Sequence, residues 1–206
     1  MAIITISRMF GSGGSQVAQR VADALEWNLL DNRVVDAVAE RLGVSRTEVS
    51  EHEERVPSLV ERLAATLTLS VPEMLPVAGV TLPLTEARIV AMTKAVIEEA
   101  VQTGDAVLVG RGAQCLLANR PDALHVFCYA PIPALAAYVM SDQGVSHEEA
   151  VRVVEATNRQ REQYVKQHFH RAWRAEENYD LCVNTGTLGI EGAAQVVIQL
   201  ARERFG

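Results

Sequence analysis

Two rhythms of apolar and polar positions alternate along the chain. Short unbroken apolar runs predict strands covered on both faces, at residues 2–6, 106–109 and 123–129. Trp27 to Leu30 reads as a shorter strand ending at Asp31, and Asp180-Leu181-Cys182-Val183-Asn184 as the last one. Between these runs, apolar residues recur at helical spacing. Val17, Ala18, Val21, Ala22 and Leu25 predict a helix over 15–26, and Val34, Val35, Val38 and Leu42 predict another that Gly43 closes. Ser45 and Glu48 form an S-x-x-E capping box opening a further helix, and residues 58–69 look helical. Residues 85–103 are strongly helical, with Thr85 as cap and Gly104 as stop. Ser146 and Glu149 form a second capping box, opening a long helix to about residue 168, and 190–204 is the closing helix. Five short strands separated by helices predict a three-layer α/β domain around a central parallel five-stranded sheet.

Ligands of such sheets sit beyond the carboxyl ends of the strands. After the first strand comes a glycine-rich turn, Arg8-Met9-Phe10-Gly11-Ser12-Gly13-Gly14-Ser15, which opens a helix. That is the layout of a phosphate-binding loop, in which glycines let backbone N–H groups point at an anion and the helix N-terminus adds its dipole. Laid over the pattern G-x-x-x-x-G-K-[ST], the second glycine is Gly13 and the hydroxyl Ser15. Arg8 stands in place of the first glycine and Gly14 in place of the lysine. A tight strand-to-helix turn that binds nothing is the plainer alternative. The remaining strand ends are Asp31, Gly110-Arg111-Gly112, Ala130-Pro131 and Asn184-Thr185. Charged and polar groups thus converge on one rim.

At 206 residues, 49% apolar and 22% charged, the chain is expected to be one globular domain. Its net charge of −7 argues against a broad nucleic-acid surface. Cys115, Cys128 and Cys182 have no metal-like spacing; they read as small buried hydrophobes of a reducing compartment. With no signal peptide legible either, a cytoplasmic location is expected. Leu63 to Thr85 carries only Glu73 as a charge, but Pro72, Pro76, Gly79 and Pro83 interrupt it, so it is not read as a membrane span. It is a long apolar connection inside an insertion at about 45–84: tucked into the core, a lid, or an interface that makes the protein a homodimer.

Phosphoryl transfer needs positive charge, a metal and alignment. Arg111, between two glycines at a strand end, is a candidate for gripping phosphate, or a surface arginine beside a turn. Arg8 partly replaces the missing lysine, or braces the loop through a structural salt bridge. Residues 152–174 carry a local excess of four positive charges, with Arg161 sharing a helix face with Asn158 and Tyr164. A solvated basic face is the bland alternative. Asp31 suits a magnesium shell or substrate hydroxyls, or caps the next helix; Ser15 ligates magnesium or caps its own.

Together, Ile4-Thr5-Ile6-Ser7-Arg8, Phe10-Gly11-Ser12-Gly13-Gly14, Leu30-Asp31, Val109-Gly110-Arg111-Gly112, Arg159-x-Arg161-x-x-Tyr164 and Tyr179-Asp180-Leu181-Cys182-Val183-Asn184-Thr185 resemble the cytidylate-kinase-like family, in a branch lacking the loop lysine. The resemblance runs over almost the whole chain. It implies a P-loop kinase fold with a lid-like basic segment at about 146–175, transferring the terminal phosphate of ATP to CMP or dCMP with Mg2+. By similarity, Gly11, Ser12, Gly13, Gly14 and Ser15 hold the ATP phosphates, with Ser15 on the metal. Arg8, Arg111, Arg161 and Asp31 form the catalytic set; Asp31, Arg111, Arg159 and Tyr164 face the acceptor. Three departures stand out. Gly112 and Asn158 fall where cytidylate kinases usually carry aspartates, and the segment after Ala130-Pro131 lacks arginines. The readings left open are a working phosphotransferase on a nucleotide or other small acceptor, a nucleotide- or phosphometabolite-binding module without turnover, and an assembly protein. None calls for nucleic acid or membrane.

Overall fold

The computed structural model describes residues 1–45, 47, 49 and 85–206. The expectations for 58–69 and for the apolar connection 63–85 lie outside these residues, except for Thr85. In chain order the elements are β1 (Ile3–Arg8), α1 (Gly14–Leu25), β2 (Asn28–Leu30), α2 (Asn32–Leu42), α3 (Glu86–Ala100), β3 (Ala106–Val109), α4 (Ala113–Leu116), β4 (Ala123–Tyr129), α5 (Ile132–Gln143), α6 (His147–Phe169), β5 (Leu181–Asn184) and α7 (Thr185–Phe205). The five strands form one sheet in the order β2-β3-β1-β4-β5, and every pairing is parallel. Central β1 is in register with both neighbours, Ile6 facing Val109 on one side and Val126 on the other. All strand ends therefore reach the same rim.

Alternation along the strands sorts their side chains between two layers. Ile4, Ile6, Val107, Val109, Leu124, Val126 and Cys128 pack under α1 and α7. Ile3, Leu108 and Ala123 face the other way, against α2 and α3. Phe127 faces that second side too, under α5 and α6. This is the predicted three-layer α/β architecture.

The caps explain several boundaries. Thr85 Oγ1 accepts from Arg88 N–H (3.3 Å), Ser146 Oγ accepts from Glu149 N–H (3.3 Å), and left-handed Gly43 ends α2. Val49 N–H donates to the Ser45 carbonyl (3.3 Å), as one helical turn there requires; Glu48, the other half of that box, lies outside the described residues. Gly189, at φ 67 and ψ 174, breaks α7 after its first turn, so its regular part begins at 190. Two helices carry no periodic signal. α4 has only four residues, and α5 is apolar nearly all round because it lies between sheet and α6, burying Leu135, Ala136 and Val139. Among the cysteines, Cys128 is fully buried, Cys115 half-buried and Cys182 exposed, contrary to the expectation that all are buried; β5, which carries Cys182, is an edge strand.

Candidate active site

The glycine loop takes the shape its sequence predicts. Gly11 (φ 80) and Gly13 (φ 69) are left-handed, the region that favours glycine. A Cβ on Gly11 would stand 2.7 Å from the Leu135 carbonyl oxygen, and one on Gly13 2.7 Å from Ile190 Cγ1. Met9 N–H donates to Cys128 O (2.9 Å), and Ser12 turns inward, donating its hydroxyl to Met9 O (2.8 Å). Among the described residues, the backbone N–H groups of Gly13, Gly14 and Ser15 reach no protein acceptor. They are the orphan donors of the α1 N-terminus, aligned with its dipole. The exposed Ser15 side chain does not cap the helix. Cys128 lies directly beneath, and burial pushes its thiol up to about 12, so it is neutral and unreactive.

Beside the loop, where β1 and β3 end, is a pocket of about 150 Å³. Its walls bring together arginines from three distant parts of the chain: Arg8 from β1, Arg111 from the turn after β3 and Arg161 from α6. Gly110, Arg111 and Gly112 are consecutive left-handed residues (φ 72, 54 and 69). A left-handed arginine is strained by about 1–2 kcal/mol, and it is held by contacts of its head. Arg111 Nη1 donates to Val109 O (3.3 Å) and lies 3.5 Å from Asp31 Oδ1, which also stands 3.9 Å from Arg8 Nη2. Asp31 occupies the cap position of α2 but caps nothing; its carboxylate serves the arginines instead. Arg8 thus pairs with Asp31, and its head leaves the loop to do so.

Helix α6 forms the far wall. Its buried Asn158 accepts from Phe10 N–H through Oδ1 (2.8 Å), and Arg161 Nη1 donates to Arg8 O (2.7 Å) while lying over the Phe10 ring. The segment after α6 is pinned by aromatic packing, with Trp173 edge-on to Phe127 and Tyr179 stacked on Phe127. The Tyr179 hydroxyl donates to Trp173 O (2.6 Å), and burial pushes that phenol well above its ordinary range. The predicted lid therefore stands here as a docked wall.

Tyr164 lines the pocket; Arg159 is exposed and does not. Residues two apart on a helix do not share a face, so Arg161 facing in turns Arg159 out. Sequence reasoning missed Ser7, Gln114, Thr157, Gln160 and Trp173 as pocket residues. Thr157, Gln160, Arg161 and Tyr164 form an i, i+3, i+4, i+7 stripe, a signal that finds the first two. Gln114 on four-residue α4 and Trp173 in an irregular connection carry none.

Among the described residues no cluster of three or more His, Cys, Asp or Glu side chains could hold a metal, and no helix is long and apolar enough to cross a membrane. The fold and loop define a P-loop kinase-like protein. Its sequence agrees: the profile of the cytidylate kinase-like family matches residues 3–187, and the chain belongs to that family. No curated protein matches it. Among solved structures, an uncharacterised protein from Eubacterium ventriosum shares the fold with a TM-score of 0.71 at 20% identity, covering 98% of this chain and 99% of that one. A shikimate kinase from Bacteroides thetaiotaomicron follows at 0.54 and 16%, covering 98% of each chain. A shikimate kinase from Acinetobacter baumannii, solved with shikimate, has 0.52 and 15%, covering 100% and 95%. At these identities the likeness is one of fold.

Proposed function

We propose that the protein is an ATP-dependent phosphotransferase acting on a small acceptor. The observation that carries this reading is the convergence of Arg8, Arg111 and Arg161 on one pocket beside a loop of unpartnered N–H donors. The loop fits phosphate: the N–H groups of Gly13, Gly14 and Ser15 are the donors a phosphate chain needs, and buried Asn158, which holds the Phe10 N–H through Oδ1, has an Nδ2 with no partner of its own. Mg2+ fits as a metal held chiefly by phosphates and water, with Ser15 as the loop's hydroxyl ligand, since no protein cage exists among the described residues. When bound, ATP supplies the transferable phosphoryl group and Mg2+ spreads its charge.

The chain's own groups do the rest. Asp31 orients the heads of Arg8 and Arg111 and offers a carboxylate to an acceptor hydroxyl. Arg111 and Arg161 supply positive charge where phosphoryl oxygens gain negative charge. Ser7 and Gln114, both buried, form a polar floor. Helix α6 keeps water from one side.

Family membership favours CMP or dCMP as acceptor. The pocket volume, about 150 Å³, favours an acceptor whose inserted part is a phosphate or a small hydroxy acid. The test is transfer from labelled ATP with Mg2+ to a panel containing CMP, dCMP, other nucleoside monophosphates and shikimate, with Arg111→Ala alongside. Transfer that falls by about 10³-fold in the variant, as for a lost phosphate-clamping arginine, supports the reading. No transfer to any acceptor by folded protein overturns it, and tight ATP binding without turnover then identifies a binding module.

A further inference from the structure

The two positions at which the loop departs from G-x-x-x-x-G-K-[ST] are in contact with each other. A Cβ on Gly14 would fall well inside contact distance of Arg8 Cβ, 3.0 Å from Arg8 Cγ and 3.3 Å from Cys128 Cβ. The first of these atoms, Arg8 Cβ, is fixed by the backbone and cannot swing away. With Arg8 in place, position 14 holds glycine and nothing larger. The other end of Arg8 passes over a second glycine. A Cβ on Gly110 would collide with Arg8 Nη1 and stand 3.3 Å from its Cζ, so the guanidinium passes directly over Gly110 on its way to Asp31. Gly14 is small because of the Arg8 stem; Gly110, 96 residues on, lies under the Arg8 head and is left-handed (φ 72), which itself favours glycine.

We propose that Arg8 is the loop cation of this protein, installed at the first position of the loop in exchange for the lysine, and that it directs its charge to the acceptor side of the pocket. The lysine of a complete loop sits beside the nucleotide phosphates. Arg8 instead projects from the end of β1 over β3, beside Arg111 and Asp31. The two substitutions are one exchange: with a side chain at position 8, the lysine cannot stand at position 14. Arg8 is then a residue that determines what the pocket accepts, and the nucleotide phosphates depend on backbone donors. The assignment of the pocket to an acceptor rests on the phosphotransferase reading; the steric exchange does not.

The experiment is a substitution cycle. Gly14→Lys alone is expected to melt well below the parent. Arg8→Gly with Gly14→Lys, which writes the complete pattern over residues 8–15, is expected to recover most of that loss. Arg8→Met with Gly14→Lys keeps the Arg8 stem without its charge, and is expected to stay as unstable as Gly14→Lys alone. This separates crowding from repulsion between two cations. Calorimetry with ATP and with inorganic phosphate, the latter added to protein saturated with a non-hydrolysable ATP analogue, reads the charge. Arg8→Met is expected to weaken phosphate binding at least tenfold and ATP binding less than threefold. Additive melting changes, or a Gly14→Lys protein as stable as the parent, overturn the exchange. A tenfold loss of ATP affinity in Arg8→Met with unchanged phosphate binding overturns the acceptor-side assignment. A parent that transfers phosphate to nothing fails the phosphotransferase reading alone, because the melting cycle needs no ligand.

Discussion

Arg111 offers a way to separate backbone strain from charge at one position. Its φ of 54 lies in the left-handed region, between two glycines that are also left-handed. Consider two substitutions, Arg111→Ala and Arg111→Gly. Both remove the guanidinium, its bond to Val109 O and its ion pair with Asp31, so those losses cancel in the comparison. The variants differ in two terms. Alanine keeps the left-handed penalty of about 1–2 kcal/mol, which glycine escapes. Glycine in turn gives the unfolded chain more freedom, worth about 0.5–1 kcal/mol against it. At the midpoints of these ranges the balance favours glycine by about 0.75 kcal/mol, which for a domain of this size is about 2–3 °C in melting temperature. Paired thermal and urea unfolding of the two variants reads it directly. Phosphoryl transfer is expected to be equally low in both, because neither carries the charge. An Arg111→Ala protein as stable as Arg111→Gly would refute the claim that the chain is held in a strained turn there, and with it the idea that contacts of the arginine head hold that strain.

Other consequences are simpler to state. His125 is buried in β4, with Nδ1 2.8 Å from Thr5 Oγ1, and burial holds its pKa below the ordinary value against the pull of Asp180. Since the unfolded chain protonates first as pH falls, stability drops below about pH 6.5 with a slope of at most about 1.4 kcal/mol per pH unit; urea midpoints at pH 7.5 and 5.5 should diverge less in His125→Asn than in the parent, and equal divergence counts against the argument. Asn158→Ala leaves the Phe10 N–H without its acceptor and should cost about 1–3 kcal/mol in denaturant titration; a neutral result would mean that the loop does not depend on α6. Gly112→Ala places a Cβ against the Phe169 ring, 2.9 Å from Cδ2, at φ 69, and should cost about 2–4 kcal/mol. Adding Phe169→Ala should relieve the steric part of that loss, and an additive double variant would refute the contact.

The sheet was legible because parallel strands covered on both faces leave unbroken apolar runs, and the rim was legible because polar residues interrupt those runs at one end. Ile3–Arg8 and the glycines after it could hardly be read otherwise. Less was legible where an element lacks contrast. Helix α5 is apolar all round and α4 is a single turn, so neither has a period to detect. Side-chain destinations were harder still. Asp31 stands where a cap belongs and binds arginines instead, because β2 and β3 are neighbours and bring Arg111 within 3.5 Å. Nothing near Asp31 in the sequence says so. The course of Arg8 likewise depends on β3 lying beside β1, a fact of topology. Cys182 looks like any strand residue until β5 is known to be the edge.

The departures from the family pattern have a common physical character. A phosphate site that merely decays loses groups one at a time and leaves space or unpaired neighbours behind. Here several changed positions meet a specific partner. Gly14 is matched by the stem of Arg8, and Gly112 by the Phe169 ring, which also carries Lys94 over its face at 4.8 Å. Asn158 is matched by the Phe10 N–H. Asn158, Arg161 and Phe169 all come from α6, and two of them grip the loop itself. Rearranging the loop and docking that helix are therefore a single change: the cation that leaves position 14 vacates the interior of the loop, and α6 secures the loop from outside. If so, what the pocket accepts is decided mainly by the stripe that α6 turns inward, Thr157, Gln160, Arg161 and Tyr164. Substitutions along that stripe should change which acceptor is used while leaving affinity for ATP nearly constant, whereas a decayed site would lose both together.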